Sequence, residues 1–249
     1  MSKMPTSQTK KNSTKQKTQH SNFPHSPLLP RILYEDKHLL ILNKEVAEIV
    51  QDDKTGDTSL LTQLREAIKV RDQKPGNVYL QAVHRIDRPV SGLVLFAKVD
   101  RVLPKLHEQF RDGRVERFYY ALVEGRPTET EATIQSYLTR NERLNKTFVT
   151  RQANPKAQLA TLAYEMVGVT RSFSLLKVQL FTGRHHQIRA QLASIGCPIR
   201  GDLKYGAKRS LPNAGIALHA FSLKFEHPIT HENIHVEAPC PFLNMLVNG

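Results

Sequence analysis

The amino-acid sequence predicts an α+β fold built on one large mixed or mostly antiparallel β-sheet flanked by helices and loops. Three observations carry this. Short apolar runs rich in β-branched and aromatic residues outnumber stretches with helical spacing, and most are separated by turn-sized connections, as hairpin-joined strands are. No internal repeat, Walker loop or GxGxxG stretch points instead to a nucleotide-binding parallel sheet. With 249 residues, 39% of them apolar and 24% charged, the chain is long enough to bury a full core, as one large domain or two subdomains.

The elements follow in order. "RILYEDKHLLILNK" reads as two short strands joined by an Asp/Lys turn, and "DTSLLTQLREAIKVR" as a surface helix, with Leu60, Leu61, Leu64, Ala67 and Ile68 on one face behind an Asp/Thr cap signal; "KPGN" then breaks the chain. "VYLQAVH" and "SGLVLFAK" are apolar β-rich runs, so the polar stretch between them is a turn or bend at strand ends. "RVLPKLHEQF" predicts a helix beginning near Pro104, "VERFYYALVEG" and "ATIQSYLTR" two strands, and "QLATLAYEMVG" with "SFSLLKVQL" a long hairpin turning at "VTR". In "TGRHHQIRAQLASIG", Ile188, Leu192 and Ile195 mark an apolar helical face and Gly196 supplies the stop. "IALHAFSLKFEH" is a further strand, and "PFLNMLVN" a short closing helix.

Charge narrows the partner. Lys+Arg outnumber Asp+Glu by 36 to 23, a formal +13, which favours a polyanion such as RNA through phosphate neutralisation and counterion release. The first thirty residues hold Lys3, Lys10, Lys11, Lys15 and Lys17 and no acid, so +13 less five leaves +8 on residues 31–249. This Ser/Thr/Gln/Lys-rich tail, residues 1–30, buries too little apolar surface to offset its ordering entropy and is expected to be disordered. It lacks the apolar run of a signal peptide, and no later stretch approaches the ~18 apolar residues that span a membrane, so a cytoplasmic, monomeric protein without a membrane partner is expected. Cys197 and Cys240 stand alone, without the spacing of a disulfide framework or a zinc site.

Three polar segments interrupt the apolar elements: "HRIDRPVSG", "RFYYALVEG" and "TGRHHQIR". If residues 85–87 are extended, the period of two sets Arg85 and Asp87 on one side, turns Ile86 into the core and points Arg88 elsewhere. A carboxylate at a strand end, partly desolvated and paired with a guanidinium, stays ionised at neutral pH and is available as nucleophile or base. Taken alone, the same Asp/Arg pattern is a surface ion pair worth roughly 0–1 kcal/mol. Arg189 is a second candidate partner, because a helix sets it beside the buried Ile188. The doublet His185–His186 is not read as a metal site, since neighbours on a helix point about 100° apart and no third ligand is evident. His84 and His219 read as hydrogen-bonding structural groups, and Lys204 and Tyr205 in "GDLKYG" either line the site or form a turn.

In these segments the chain resembles the RluA-type pseudouridine synthases. "HRIDRPVSGLVLFAK" is similar to that family's signature, with Ile86 where Leu is more common; "RFYYALVEG", "TGRHHQIRAQLASIGCPIRGDLKYG" and "LHAFSLKFEHP" match three further motifs in order. The resemblance runs from about Arg31 to the end. It implies a pseudouridine synthase fold with a catalytic cleft across the sheet over residues 31–249, and an enzyme that detaches uracil from its ribose in ribosomal or transfer RNA, turns it and rejoins it through carbon 5, with no cofactor or metal; the separate N-terminal RNA-binding module of several relatives is not expected, because a disordered thirty-residue tail cannot form it. Asp87 takes the place of the catalytic carboxylate, acting on the sugar as nucleophile or as base. Arg189 takes the place of its charge partner, Tyr119 of the aromatic residue that packs on the target base, and Arg85 of the side chain that fills the gap left by a flipped nucleotide; Ile188 joins this substrate-binding set. Extrusion from a stack costs a few kcal/mol, so a filler and a stacking platform make physical sense.

One departure stands out: the family's "NKPAG" is replaced by "NKEVAEIV", with Glu45 for Pro and no Gly. It is expected to alter a loop far from the catalytic motifs, affecting RNA contacts or loop shape rather than chemistry. An inactive RNA-binding descendant is disfavoured by intact Asp87, Tyr119 and Arg189. A glycosidic hydrolase is disfavoured because no second acid stands out across the scissile bond.

Overall fold

A computed structural model describes residues 26–53, 56–150, 153 and 155–243. Along the chain run β1 (Ile32–Glu35), β2 (Leu39–Lys44), α1 (Leu60–Arg71), β3 (Gln81–Ala82), β4 (Ser91–Ala97), α2 (Leu103–Arg111), β5 (Glu116–Glu124), β6 (Glu131–Asn141), β7 (Lys146–Thr150), β8 (Ala157–Val169), β9 (Phe173–Leu180), α3 (Gln187–Ser194), β10 (Leu218–Glu226) and β11 (Asn233–Glu237). Among the described residues all eleven strands join one sheet, ordered β1-β2-β4-β10-β5-β9-β8-β6-β7, with β3 also on β4 and β11 also on β10. Only β4 and β10 run parallel; the other pairs are antiparallel, and the expected mixed sheet is what forms.

The middle of the sheet is covered on both faces, which is why its strands read as continuous apolar runs rather than as alternations. In β2, Leu40 and Leu42 face one core with α1's Leu60, Leu64 and Ile68, while Leu39 and Ile41 face a second core with Leu106 of α2. β4 divides the same way, Val94 and Phe96 against Leu93 and Leu95. Ser59 caps α1, its hydroxyl accepting the Thr62 N–H, where Asp or Thr was expected. Pro104 sits in the first turn of α2.

Other departures have physical causes. "VYLQAVH" yields only the two-residue β3, because β4 offers it just Phe96 and Ala97; toward its start, β4 pairs with β10 through Ser91 and Gly92. Two edge-like strands, β7 and β11, went unpredicted because their polar, partly exposed sequences carry little pattern of their own and are drawn in by β6 and β10. α3 ends at Ser194, leaving Ile195 39% exposed, while six of its eight residues, Gln187 to Leu192, are buried, so it is a nearly encased helix rather than an amphipathic one. Part of the expected tail packs on the fold: Leu28 is 3% exposed and sits in the main core. The rest of the expected tail, residues 1–25, and the closing segment from residue 244 lie outside the described residues. No helix among the described residues is long and apolar enough to cross a membrane.

Gly92 permits the parallel pairing. Its φ is +116°, and a Cβ there would stand 2.2 Å from the Ala220 carbonyl oxygen. Gly92→Ala is expected to destabilise the protein by roughly 2–6 kcal/mol, combining backbone strain with overpacking against an immovable main chain. A denaturant titration showing a loss below about 1 kcal/mol would mean that β4 and β10 part easily.

Candidate active site

Because β4 changes partner from β10 to β3, the sheet opens there, and residues 83–90 fill the opening as an irregular loop. The loop starts on the sheet: Val83 N–H donates to the Leu95 carbonyl, and the Leu95 N–H to His84 Nε2. It is then fastened almost wholly through carbonyls. Asp87 O accepts from Val90 N–H, Pro89 O from Ile216 N–H, and Arg88 O from both Ala47 N–H (2.9 Å) and Lys44 Nζ (3.1 Å). Ile86 is buried, Arg85 exposed, and the Arg88 side chain turns away to Asp57 and the Ala47 carbonyl, as the period of two predicts.

These contacts correct one expectation. The loop after "NK" is not far from the catalytic motif: Lys44 and Ala47 hold the residue next to Asp87 directly. Lys44 is fully buried, its ammonium also donating to the Glu45 carbonyl (2.8 Å), and burial brings its pKa down to about 7.

The loop forms one wall of a cavity of about 700 Å³, faced by Phe110 and Arg111 of α2, by Arg117 and Tyr119 of β5, and by residues 180–184 and 186–189. All five sequence-predicted site residues, Arg85, Asp87, Tyr119, Ile188 and Arg189, line it. Asp87 presents a partly exposed carboxylate whose Oδ2 accepts from Arg189 Nη1 at 3.0 Å. Arg189 is itself buried, and its Nε and Nη2 make a two-pronged pair, at 2.6 and 2.9 Å, with the buried carboxylate of Asp202. Burial alone would lower the Arg189 pKa, but the hydrogen bonds and charge of Asp202, then those of Asp87, outweigh it and raise it. Asp202, missed from sequence, lies in "RGDLKYG", where an acid in a glycine-containing turn signals nothing but solvent exposure.

Tyr119 is 7% exposed and burial pushes its pKa up, with Arg117 and Asp87 acting on it in opposite senses. Tyr120 faces the other side of β5, stacked on Phe221 at 4.0 Å. Arg117, two residues from Tyr119 on the same face, donates to the Leu180 and Phe181 carbonyls and lies over the Phe110 ring. A Cβ at position 183 would come within 2.9 Å of its Nη1, so the glycine of "TGR" leaves room for this guanidinium. Arg85, Arg111 and Arg184 are exposed along the cavity, a cationic rim suited to phosphates. His186 is buried beside Asp87, and His219 bonds the Ser91 hydroxyl through Nδ1. Elsewhere, Asp36, His38 and His227 bring possible metal-ligand atoms within 4.8 Å of one another. His227 Nδ1, however, accepts the N–H groups of Ile229 and Thr230, which leaves the hydrogen on Nε2, turned toward Asp36 at 3.0 Å though off the line of a good bond. A ring nitrogen that carries hydrogen is not a metal donor.

One mixed sheet opened at β4, with an arginine-held carboxylate in a basic cleft, defines an RNA pseudouridine synthase domain. The chain belongs to the RNA pseudouridylate synthase family, whose sequence model matches residues 38–194. Over 213 residues it is 36% identical to the RNA pseudouridine synthase YhcT of Bacillus subtilis, covering 84% of this chain and 68% of that protein. It is 34% identical over 214 residues to ribosomal large subunit pseudouridine synthase C of Vibrio parahaemolyticus, covering 84% and 65%. The chain thus spans about two thirds of the length of these relatives. The solved structure of human RNA pseudouridylate synthase domain containing 4 shares the fold with a TM-score of 0.73 over 86% of this chain and 90% of that one, at 23% identity. That of human RNA pseudouridylate synthase domain containing 1 does so at 0.70 over 86% and 85%, at 26% identity.

Two outcomes follow from the charges. Arg189→Met leaves Asp202 buried and unpaired, and is expected to lower stability by about 3–5 kcal/mol in denaturant titrations; a loss under 1 kcal/mol would show that another group neutralises Asp202. Burial, aided by Arg117 at His84 and Arg189 at His186, brings the pKa values of His84, His186 and His219 from 6.5 to about 3, 2 and 4. The unfolded chain takes protons on these rings below 6.5 while the folded one does not. The contribution of these rings is therefore fully present above that pH and is lost on acidification, by about 1.4 kcal/mol per pH unit for each ring. Denaturant midpoints measured from about pH 7 to pH 5 should drop steeply, and a flat profile would mean that the rings are not held neutral.

Proposed function

We propose that this chain converts uridines of large-subunit ribosomal RNA to pseudouridine, with Asp87 as the reacting carboxylate on a nucleotide turned out of its stack. The observation that carries the reading is the Asp87 carboxylate itself: paired with Arg189 at 3.0 Å, partly exposed, and set in a cavity large enough for one nucleotide, beside a buried tyrosine. The bond between C1′ and N1 breaks with its electron pair passing to the base, and Asp87 either bonds to C1′ or removes a sugar proton. The detached base turns and C5 bonds to C1′ as the Asp87–C1′ bond breaks or, on the other route, as the abstracted proton returns to the sugar; the proton on C5 then leaves and N1 takes one up. Tyr119 gives the base a stacking face, Ile188 an apolar wall, and Arg85, at the exposed rim, the side chain that fills the gap in the RNA.

Ribosomal RNA is favoured over transfer RNA by relatives named for the large ribosomal subunit. A glycosidic hydrolase needs a second carboxylate facing the scissile bond. The second acid near the site, Asp202, is sealed in its pair with Arg189, its side chain 1% exposed.

Asp87→Asn is expected to abolish release of tritium from carbon 5 of labelled uridine in RNA while changing RNA affinity by no more than about threefold, because phosphate contacts supply most of the binding. Measurable turnover would remove Asp87 from the chemistry. Mapping pseudouridine in total RNA from cells with and without the gene should show sites lost from large-subunit RNA; losses confined to transfer RNA would reassign the substrate.

A further inference from the structure

We infer that His186 is a positioning residue for Asp87: a neutral imidazole whose Nε2–H faces Oδ2, sharing that oxygen with Arg189 and leaving Oδ1 as the atom that reacts. This rests on the reading of Asp87 as the reacting carboxylate. Three features of the structure support it.

His186 precedes α3 in the left-handed backbone region, with φ 51° and ψ 26°, and is 8% exposed. Such a conformation is uncommon for a residue other than glycine, and here the ring is held on several sides. His185 stacks on one face at 3.8 Å, and Tyr205 meets the ring edge-on. Unlike His186, His185 points to the β6–β7 hairpin, bonding Thr147 Oγ1 and Asn145 Oδ1.

The tautomer follows from the neighbours. Tyr205 Oη accepts the Thr147 backbone N–H at 2.8 Å, which leaves the phenol's own hydrogen for His186 Nδ1, 2.9 Å away. With Nδ1 accepting, the single hydrogen of a neutral ring sits on Nε2. Burial and the nearby Arg189 keep the ring neutral. It therefore serves as a fixed dipole and not as an acid or base.

Nε2 stands 3.6 Å from Asp87 Oδ2, the same oxygen that Arg189 holds at 3.0 Å. Oδ1 has no hydrogen-bond partner among the described residues. The His186 contact is longer than a formed hydrogen bond, as contacts in empty active sites often are before substrate tightens them. Two donors on one oxygen fix the carboxylate's rotation and direct the free lone pairs into the cavity.

The test has two arms. Long-range proton–nitrogen correlation on the full chain reads the tautomer directly: the Nε2–H form is expected for His186, and Tyr205→Phe should mix it with the Nδ1–H form. A wild-type ring in the Nδ1–H form overturns the proposal without touching the role of Asp87. In single turnover at saturating RNA, His186→Leu is expected to slow isomerisation about a hundredfold at unchanged RNA affinity, in the range of a lost preorganised donor. His186→Gln, which carries an N–H near the Nε2 position under the same backbone strain, should recover to within about tenfold of wild type. Equal rates for the Leu and Gln variants overturn the proposal. Activity of Asp87→Asn would instead overturn the reading beneath it, leaving the tautomer result standing.

Discussion

The guanidinium of Arg189, shared between one buried acid and one facing the cavity, is the interaction on which the rest of the site depends. A lone buried carboxylate at Asp202 would be intolerable, and so would a lone buried arginine in α3; together they form a pair that engages two of the three guanidinium nitrogens before Asp87 arrives. The third donor, Nη1, is thereby aimed rather than free to search. Asp202 thus anchors the cation in the scaffold, and Asp87 receives a charge partner whose position does not depend on it.

The sheet decides where this meeting happens. Parallel pairing of β4 with β10 lasts for two residues, Ser91 and Gly92, and pairing with β3 resumes only at Phe96. Between those points β4 has no strand beside it on that edge, and the backbone groups of the Asp87 loop find partners in β4, in the Lys44–Ala47 segment and at Ile216. α3, encased by β6 and β8 through Gln191 and by Thr161 through Gln187, brings Arg189 to the same place from the other half of the sheet. The Asp87 loop is thus a bridge across a discontinuity in the sheet.

Much of this was legible in the sequence, and the reasons for what was not are physical. Central strands such as "LLIL" and "LVLFA" are apolar on both faces and announce themselves; β7 and β11 exist because neighbours offer edges, which no local pattern records. Asp87, Tyr119 and Arg189 were readable because they stand inside long motifs, and Arg85 and Ile188 also line the cavity. Asp202 was not, although it stands in the third of those motifs, and Tyr205 stayed open between the site and a turn, because the turn carrying them is polar and their burial is created by α3 and β7, which approach from elsewhere in the chain. The same limit applies to the loop after Lys44: sequence distance suggested spatial distance, and a shared carbonyl, that of Arg88, shows otherwise.

The tethers of the Asp87 loop have a consequence for how such a protein changes over generations. Asp87, Arg88 and Pro89 are tied down by their carbonyl oxygens, and a carbonyl is supplied by every amino acid. The loop's shape is therefore nearly indifferent to which side chains it displays outward. The residue at position 85, exposed at the rim, can drift and alter the surface met there, while the carboxylate two residues further on keeps its place. A single inherited framework can in this way be re-addressed to new targets by exchanging its outer lettering, with the chemistry left undisturbed.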